Sequence, residues 1–239
     1  MTKMCAASAI SIVAITCTTP GVLAIDEYRL DDGVKERGWG IQSGGSNSIA
    51  WLNTFTAQQG AETITDIRVV FGSGILGNNI PNGTPVDLYI WGDFNQDGSP
   101  DDAFVLDSTS GVVQGSGTNA FATYTLNNSI TFNAGDTFFA GAIINYTGQF
   151  EVASIDEDGT DSIPNYPAMD HSWISGSANG VAIDPNNLDS SQFGLERVSD
   201  ALYGGAADAT WMIRLNAVPA PSAICLLLLG APFVAARRR

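Results

Sequence analysis

Through the middle of this chain, apolar and polar residues alternate with a period of two. In VDLYIW, Val86, Leu88 and Ile90 fall on one face, and Asp87, Tyr89 and Trp91 on the other. In ITDIRVVF, Ile67, Val69 and Phe71 oppose Asp66, Arg68 and Val70. In TWMIRL, Trp211, Ile213 and Leu215 oppose Thr210, Met212 and Arg214. Such alternation predicts half-buried antiparallel strands. Turn-forming clusters separate them: SGGSNS, GNNIPNGTP, FNQDGSPDD, QGSGTN and NAGD. The pattern predicts strands around 38–42, 48–57, 63–72, 85–92, 103–107, 110–114, 121–127, 129–133, 137–145, 150–155 and 209–216, with some neighbours merging. No segment holds a helical period. The stretch 157–208 is rich in Asp, Asn, Ser, Gly and Pro, and predicts long loops with one or two short strands. The expected architecture is all-β: a single antiparallel β-sandwich of jelly-roll type.

The two ends have a different character. Residues 1–24 carry Lys3, an apolar stretch from Cys5 to Cys17, and then Pro20, Gly21 and Val22-Leu23-Ala24. That order predicts a signal peptide cut by signal peptidase after Ala24. The body is then 25–217, followed by a separate closing segment, 218–239. Cys5, Cys17 and Cys225 all lie in the ends, which excludes a disulfide framework or thiolate metal site in the body. All 25 Asp and Glu lie in the body, against six of the ten Lys and Arg, a formal charge of −19. A body so acidic repels nucleic acid and anionic lipid and favours cations.

The densest acidic run is DFNQDGSPDD, Asp93 to Asp102. Asp93, Asn95 and Asp97 alternate, Gly98 permits a sharp turn, Ser99 offers a carbonyl, and Asp101 can come round to the same ion. Oxygen ligands so spaced suit Ca2+. The competing reading is an Asx-rich hairpin turn without metal. The stretch resembles the D-x-[DN]-x-D-G-x-x-D calcium loops of integrin-type propeller and thrombospondin repeats, and the first half of an EF-hand or dockerin loop. Phe104 stands at the twelfth position, where a bidentate carboxylate belongs in an EF-hand, and the flanks read as strands. The resemblance therefore implies the loop alone. Asp156, Asp158 and Asp161 in DEDGTD form a shorter echo, and Asp31-Asp32-Gly33 reads as a turn.

Catalytic chemistry finds little footing. His171 is the sole histidine, and no G-x-S-x-G elbow precedes a helix. One histidine cannot build a zinc site. Glu27, Glu36, Glu62, Glu151, Glu157 and Glu196 show no recognisable catalytic setting for a polysaccharide hydrolase, the remote alternative. The expectation is a non-enzyme. Trp39, Trp51, Trp91, Trp173 and Trp211 are candidates for a sugar-stacking platform. Trp91 leads them by lying on the polar face beside the acidic loop, while Trp51 and Trp211 read as core.

The chain closes on VPAPSAICLLLLGAPFVAARRR. Ala223 to Ala236 is 14 mostly apolar residues interrupted by Pro232, short of the roughly 20 that span a bilayer comfortably. Motif, greasy run and terminal arginines together resemble the PEP-CTERM sorting signal handled by exosortases. The motif is Val218, Pro219, Ala220 and Pro221, with Ala220 where the common form has Glu, and the cluster is Arg237, Arg238 and Arg239. The resemblance covers 22 residues, about a tenth of the chain. It implies export in a bacterium with two membranes, transient retention in the inner membrane, cleavage near the motif by an exosortase-type enzyme, and transfer to the cell surface or extracellular matrix. A plain C-terminal anchor is the alternative. The expected function is a non-catalytic structural or adhesive surface protein, with polysaccharide as a candidate partner. A calcium-dependent carbohydrate-binding module is the alternative.

Overall fold

Strands form where the alternation predicts them, and glycine-rich turns set their ends. The computed structural model describes residues 27–73, 78–157, 171–204 and 209–220. The predicted signal peptide and the tail from Pro221 onward lie outside the described residues. The strands are β1 (Glu27–Tyr28), β2 (Arg37–Trp39), β3 (Ser46–Thr56), β4 (Thr63–Val69), β5 (Pro85–Gly92), β6 (Phe104–Val112), β7 (Ala122–Thr131), β8 (Thr137–Thr147), β9 (Ala153–Asp156), β10 (Ser172–Ser177), β11 (Leu195–Arg197), β12 (Thr210–Trp211) and β13 (Ile213–Val218). Two pairs of predicted strands are continuous, as β6 and β7. Where the sequence predicts only loops and one or two short strands across 157–208, α1 covers Val198–Tyr203 and ends on Gly204 at φ 60°. Six residues are too few to display a 3.6-residue period, so the pattern could not reveal it.

The fold is an antiparallel all-β sandwich. One layer is a six-stranded sheet in the order β11-β10-β3-β8-β5-β6. Facing it are a four-stranded sheet, β1-β13-β4-β7, and a three-stranded sheet, β12-β9-β2. These two are knitted together at Met212. Its N–H donates to Ser154 O (3.1 Å), and its carbonyl accepts the Val70 N–H (3.2 Å). The chain passes between layers from β3 to β4, back to β5, across from β6 to β7 and back to β8, a jelly-roll path.

The main core lies between the layers. Ile49, Trp51, Leu88 and Ile90 from the six-stranded sheet meet Ile67, Phe71, Ile213 and Leu215. Trp51 and Phe71 pack edge to face with centroids 6.2 Å apart. Trp51 and Trp211 are core, as their pattern implies.

The other face of the six-stranded sheet departs from expectation. Half-buried alternation predicts solvent there, yet β3 and β8 are buried at nearly every position. The chain after β10 folds back over this face, and Ile183 and Leu188 pack on Leu52, Phe139, Ile143 and Trp173. Trp91, predicted on a polar face as the leading sugar-stacking residue, is fully buried there. Its indole N–H donates to Pro185 O (2.8 Å), and its ring stacks on Tyr89 at 5.1 Å. Alternation within β5 is correct, but a cover contributed by a distant, polar-looking segment makes both faces interior.

Candidate functional site

The acidic loop joins β5 to β6 as a self-bonded turn. Asp93 is buried, and its two carboxylate oxygens accept the N–H groups of Gln96 (2.7 Å) and Gly98 (2.8 Å). Asn95 Oδ1 accepts the Asp97 N–H (2.9 Å), and Asp97 Oδ1 accepts the Ser99 N–H (2.8 Å). Gln96 at φ 63° and Gly98 at φ 83° supply the reversals. Gln96 also donates to Asp93 O (2.6 Å) and accepts the Thr137 N–H (2.5 Å), tying the loop to β8. Asp101 is exposed in a 3-10 turn, Pro100–Asp102. Asp93, Asn95 and Asp97 thus share one tight turn, each already bonded to backbone amides. Among the described residues, no three Asp, Glu, His or Cys side chains converge as a ligand set. In the second acidic run, Asp156 accepts the Asp32 N–H (2.8 Å), while Asp158 and Asp161 lie outside the described residues.

Asp31-Asp32-Gly33 is a turn, with Gly33 at φ 99° and Asp32 Oδ1 accepting the Val34 N–H (2.7 Å). It also does something the sequence does not suggest. Asp31, at 0 % exposure, takes a forked contact from Arg214 of β13, with Nη2–Oδ1 at 2.6 Å and Nε–Oδ1 at 3.0 Å. Glu27 bridges Arg214 (3.4 Å) and Arg68. Both guanidiniums lie over the Phe121 ring, Arg214 at 4.3 Å. Burial pushes the Asp31 carboxyl up, and the guanidinium beside it opposes that shift. The network fastens the β1 end of the chain to β13 and β4. The signal for it is scarcity: with six basic residues in the body, an arginine inside a strand has many carboxylates competing for it.

The last described strand delivers the predicted sorting motif to the sandwich rim. Val218 pairs with Thr63 as the final residue of β13, and the Ala220 N–H donates to Glu62 Oε2 (3.1 Å). Pro219 lies between them, and Pro221 and Arg237–Arg239 lie outside the described residues. Amides of Gly60 and Ala220 hold the Glu62 carboxyl below its ordinary range. A depressed carboxyl favours this docking above the unfolded value of about 4.3 and loses it as pH falls through the folded value.

A groove of about 550 Å³ opens between the end of β2 and the β10–β11 edge, a size typical of small-molecule clefts. One wall is Trp39 to Gln42, at the end of edge strand β2. The other is β10 with Phe193, Glu196 and the α1 residue Leu202. Trp39 is half-buried with its ring packed on the core, whereas Phe193 is 51 % exposed. Glycine shapes the interior: a β-carbon at Gly176 would meet Ile41 Cδ1 at 3.1 Å and Phe193 Cδ2 at 3.2 Å. At Gly40 a β-carbon would lie 2.1 Å from Phe150 O, so only glycine allows that approach. The Tyr146 hydroxyl accepts the Ile41 N–H (2.6 Å) and donates to Ile41 O (3.1 Å), and burial pushes its pKa up to about 12. Asn47 Nδ2 adds a bond to Gly148 O (2.8 Å) behind the same wall. Of the predicted aromatic candidates, Trp39 alone lines this groove. Phe193, Gln42 and Glu196 went unsuspected as a group because 150 residues separate them along the chain.

No family model matches the chain, and no curated protein matches it. Among solved structures, the chain is similar to the cysteine protease and lectin-like domains of Cwp84, a surface layer associated protein of Clostridium difficile, at 12 % identity and a TM-score of 0.44. The match covers 72 % of this chain and 32 % of that one, so this chain spans about a third of its length. At that likeness no residue role carries across.

Proposed function

We propose that this chain is an exported, non-catalytic surface or matrix protein, with a structural or adhesive sandwich delivered by an exosortase-type tail. The observation that carries this reading is the sequence layout of the tail: Val218-Pro219-Ala220-Pro221, then the apolar run, then Arg237–Arg239. Its attachment supports the reading, because β13 ends on Val218 and leaves almost no linker before Pro219. A rigid sandwich would stand against the membrane until the tail is cut. Mass spectrometry of the native protein is expected to find Ile25 at the N-terminus and no peptide from Ala223 onward. Mature protein that retains Arg237–Arg239 would favour a plain anchor and overturn the sorting reading.

A second reading, a calcium-dependent carbohydrate-binding module, has a specific feature in its favour. Successive side-chain-to-backbone turns gather oxygens of Asp93, Asn95 and Asp97 in one tight loop. Calcium held there in the native state alone, at a hundredfold excess over its Kd, would add about 2.7 kcal/mol, or about 5–10 °C in Tm. Chelation is then expected to lower Tm by that amount. Asp97→Asn should remove most of the response, and Asp87→Asn on β5 should keep it. A parent whose melting ignores calcium returns the loop to a plain Asx turn.

A further inference from the structure

We propose that the groove between Trp39 and Phe193 binds a neutral sugar ring. The inference builds on the adhesive reading above by giving it a ligand class and a place. A sugar ring presents C–H groups on its faces and hydroxyls around its edge, so its site needs an aromatic surface and peripheral polar groups. Both are here. Phe193 is a large apolar side chain half in solvent, yet its backbone is fixed, with its N–H donating to Gly176 O (3.0 Å). Trp39 faces the same space from the opposite wall.

The polar groups sit at the rim. Gln42 commits its side-chain N–H groups to Gly40 O (3.3 Å) and Phe150 O (3.2 Å), which orients its Oε1 as an acceptor for a hydroxyl. Glu196 is exposed on edge strand β11 and lines the same space. Acceptors of this kind, in a body of formal charge −19, disfavour uronic acids and sulfated sugars and leave neutral rings. The floor is prepared in advance. Gly40 and Gly176 keep it open, and Tyr146 and Asn47, both bonded to the Ile41 backbone, hold the Trp39–Gln42 wall in place. A site already ordered spends little entropy on closing around a ligand. The four groups come from β2 and the run after it, and from β11 and the run before it, so the groove exists only in the folded sandwich.

The test uses the purified full chain and three kinds of probe: neutral cello-, xylo- and manno-oligosaccharides, oligogalacturonates, and laurate. Binding is read by intrinsic tryptophan fluorescence and titration calorimetry. At least one neutral oligosaccharide is expected to bind and perturb the fluorescence, with oligogalacturonates at least tenfold weaker. Phe193→Ala is expected to weaken that binding about tenfold, the scale of one lost aromatic contact. Trp39→Ala should do so at least as strongly, and Glu196→Gln, which keeps an acceptor oxygen, should stay within about twofold. Phe193 is half exposed, so its variant should match the parent in circular dichroism and melting even if Trp39→Ala does not. Absence of neutral-sugar binding, preference for oligogalacturonate or laurate, or unchanged affinity in Phe193→Ala would each overturn the proposal. Surface delivery is read separately from the terminal peptides, so the two ideas can fail independently.

Discussion

Arg214→Ala is expected to lower the stability of the sandwich by about 3–5 kcal/mol, or about 6–20 °C in Tm. The loss comes less from the attraction removed than from the charge left behind. Asp31 is fully buried and Arg214 supplies its forked partner. Burial already pushes that carboxyl up, with Arg214 opposing, so without the guanidinium it rises further. A raised folded pKa for an acid means its charged form is poorly accommodated. The penalty is therefore full above that raised value and shrinks as pH falls through it toward the unfolded value of about 3.9. Denaturant unfolding of parent and variant across pH 4 to 8 is expected to show curves that converge in acid. Asp31→Leu combined with Arg214→Met should recover most of the loss, since an apolar pair of similar volume replaces two desolvated charges. A pH-independent deficit, or a double variant no better than the single one, would show that the pair matters by packing alone.

Gly141→Ala is expected to be at least as damaging. Gly141 sits in β8 between β3 and β5, at the centre of the six-stranded sheet. A β-carbon there would lie 2.1 Å from Trp51 O and 2.7 Å from Leu52 Cα, which is backbone and cannot swing aside. The two strands would have to separate, taking ladder hydrogen bonds and both cores with them. The expected cost exceeds about 4 kcal/mol, the range reached only by a few mechanisms, overpacking among them. Expression with loss of cooperative melting is the readout. Gly44→Ala is the control, because nothing lies within 4 Å of its added carbon. Cooperative melting of Gly141→Ala near the parent's Tm would mean that the sheet centre is looser than its geometry implies.

Period-two alternation made the strands and the sandwich class legible, because each core-facing residue of β4, β5 and β13 is apolar in its own right. Three features were not legible, each for a physical reason. Trp91 has the right phase within β5, but what covers it begins some 90 residues later, in a stretch that reads as loop. Arg214 has the phase of a solvent-facing residue, and only its three-dimensional neighbours Asp31 and Phe121 make an interior site for it. The groove combines Trp39 with Phe193, and a local pattern cannot join residues that meet only when β10 pairs with β3. The acidic loop is the reverse case. Its turn chemistry was visible in Asp93, Asn95, Asp97 and Gly98 because those contacts are all local.

β13 is inserted between β1 and β4, so the latest of the described strands fills a gap between two of the earliest. During synthesis, that sheet has an open slot until Ile213–Val218 emerge. A chain broken off before this point offers two unpaired ladder edges to any passing strand, the usual invitation to aggregation and proteolysis. Closure of that slot thus reports that synthesis has reached Val218, the last residue of β13 and the first of the proposed sorting motif. Length control is built into the order of the strands: a product truncated before β13 lacks its closed sheet and, on the proposed function, its delivery signal at once.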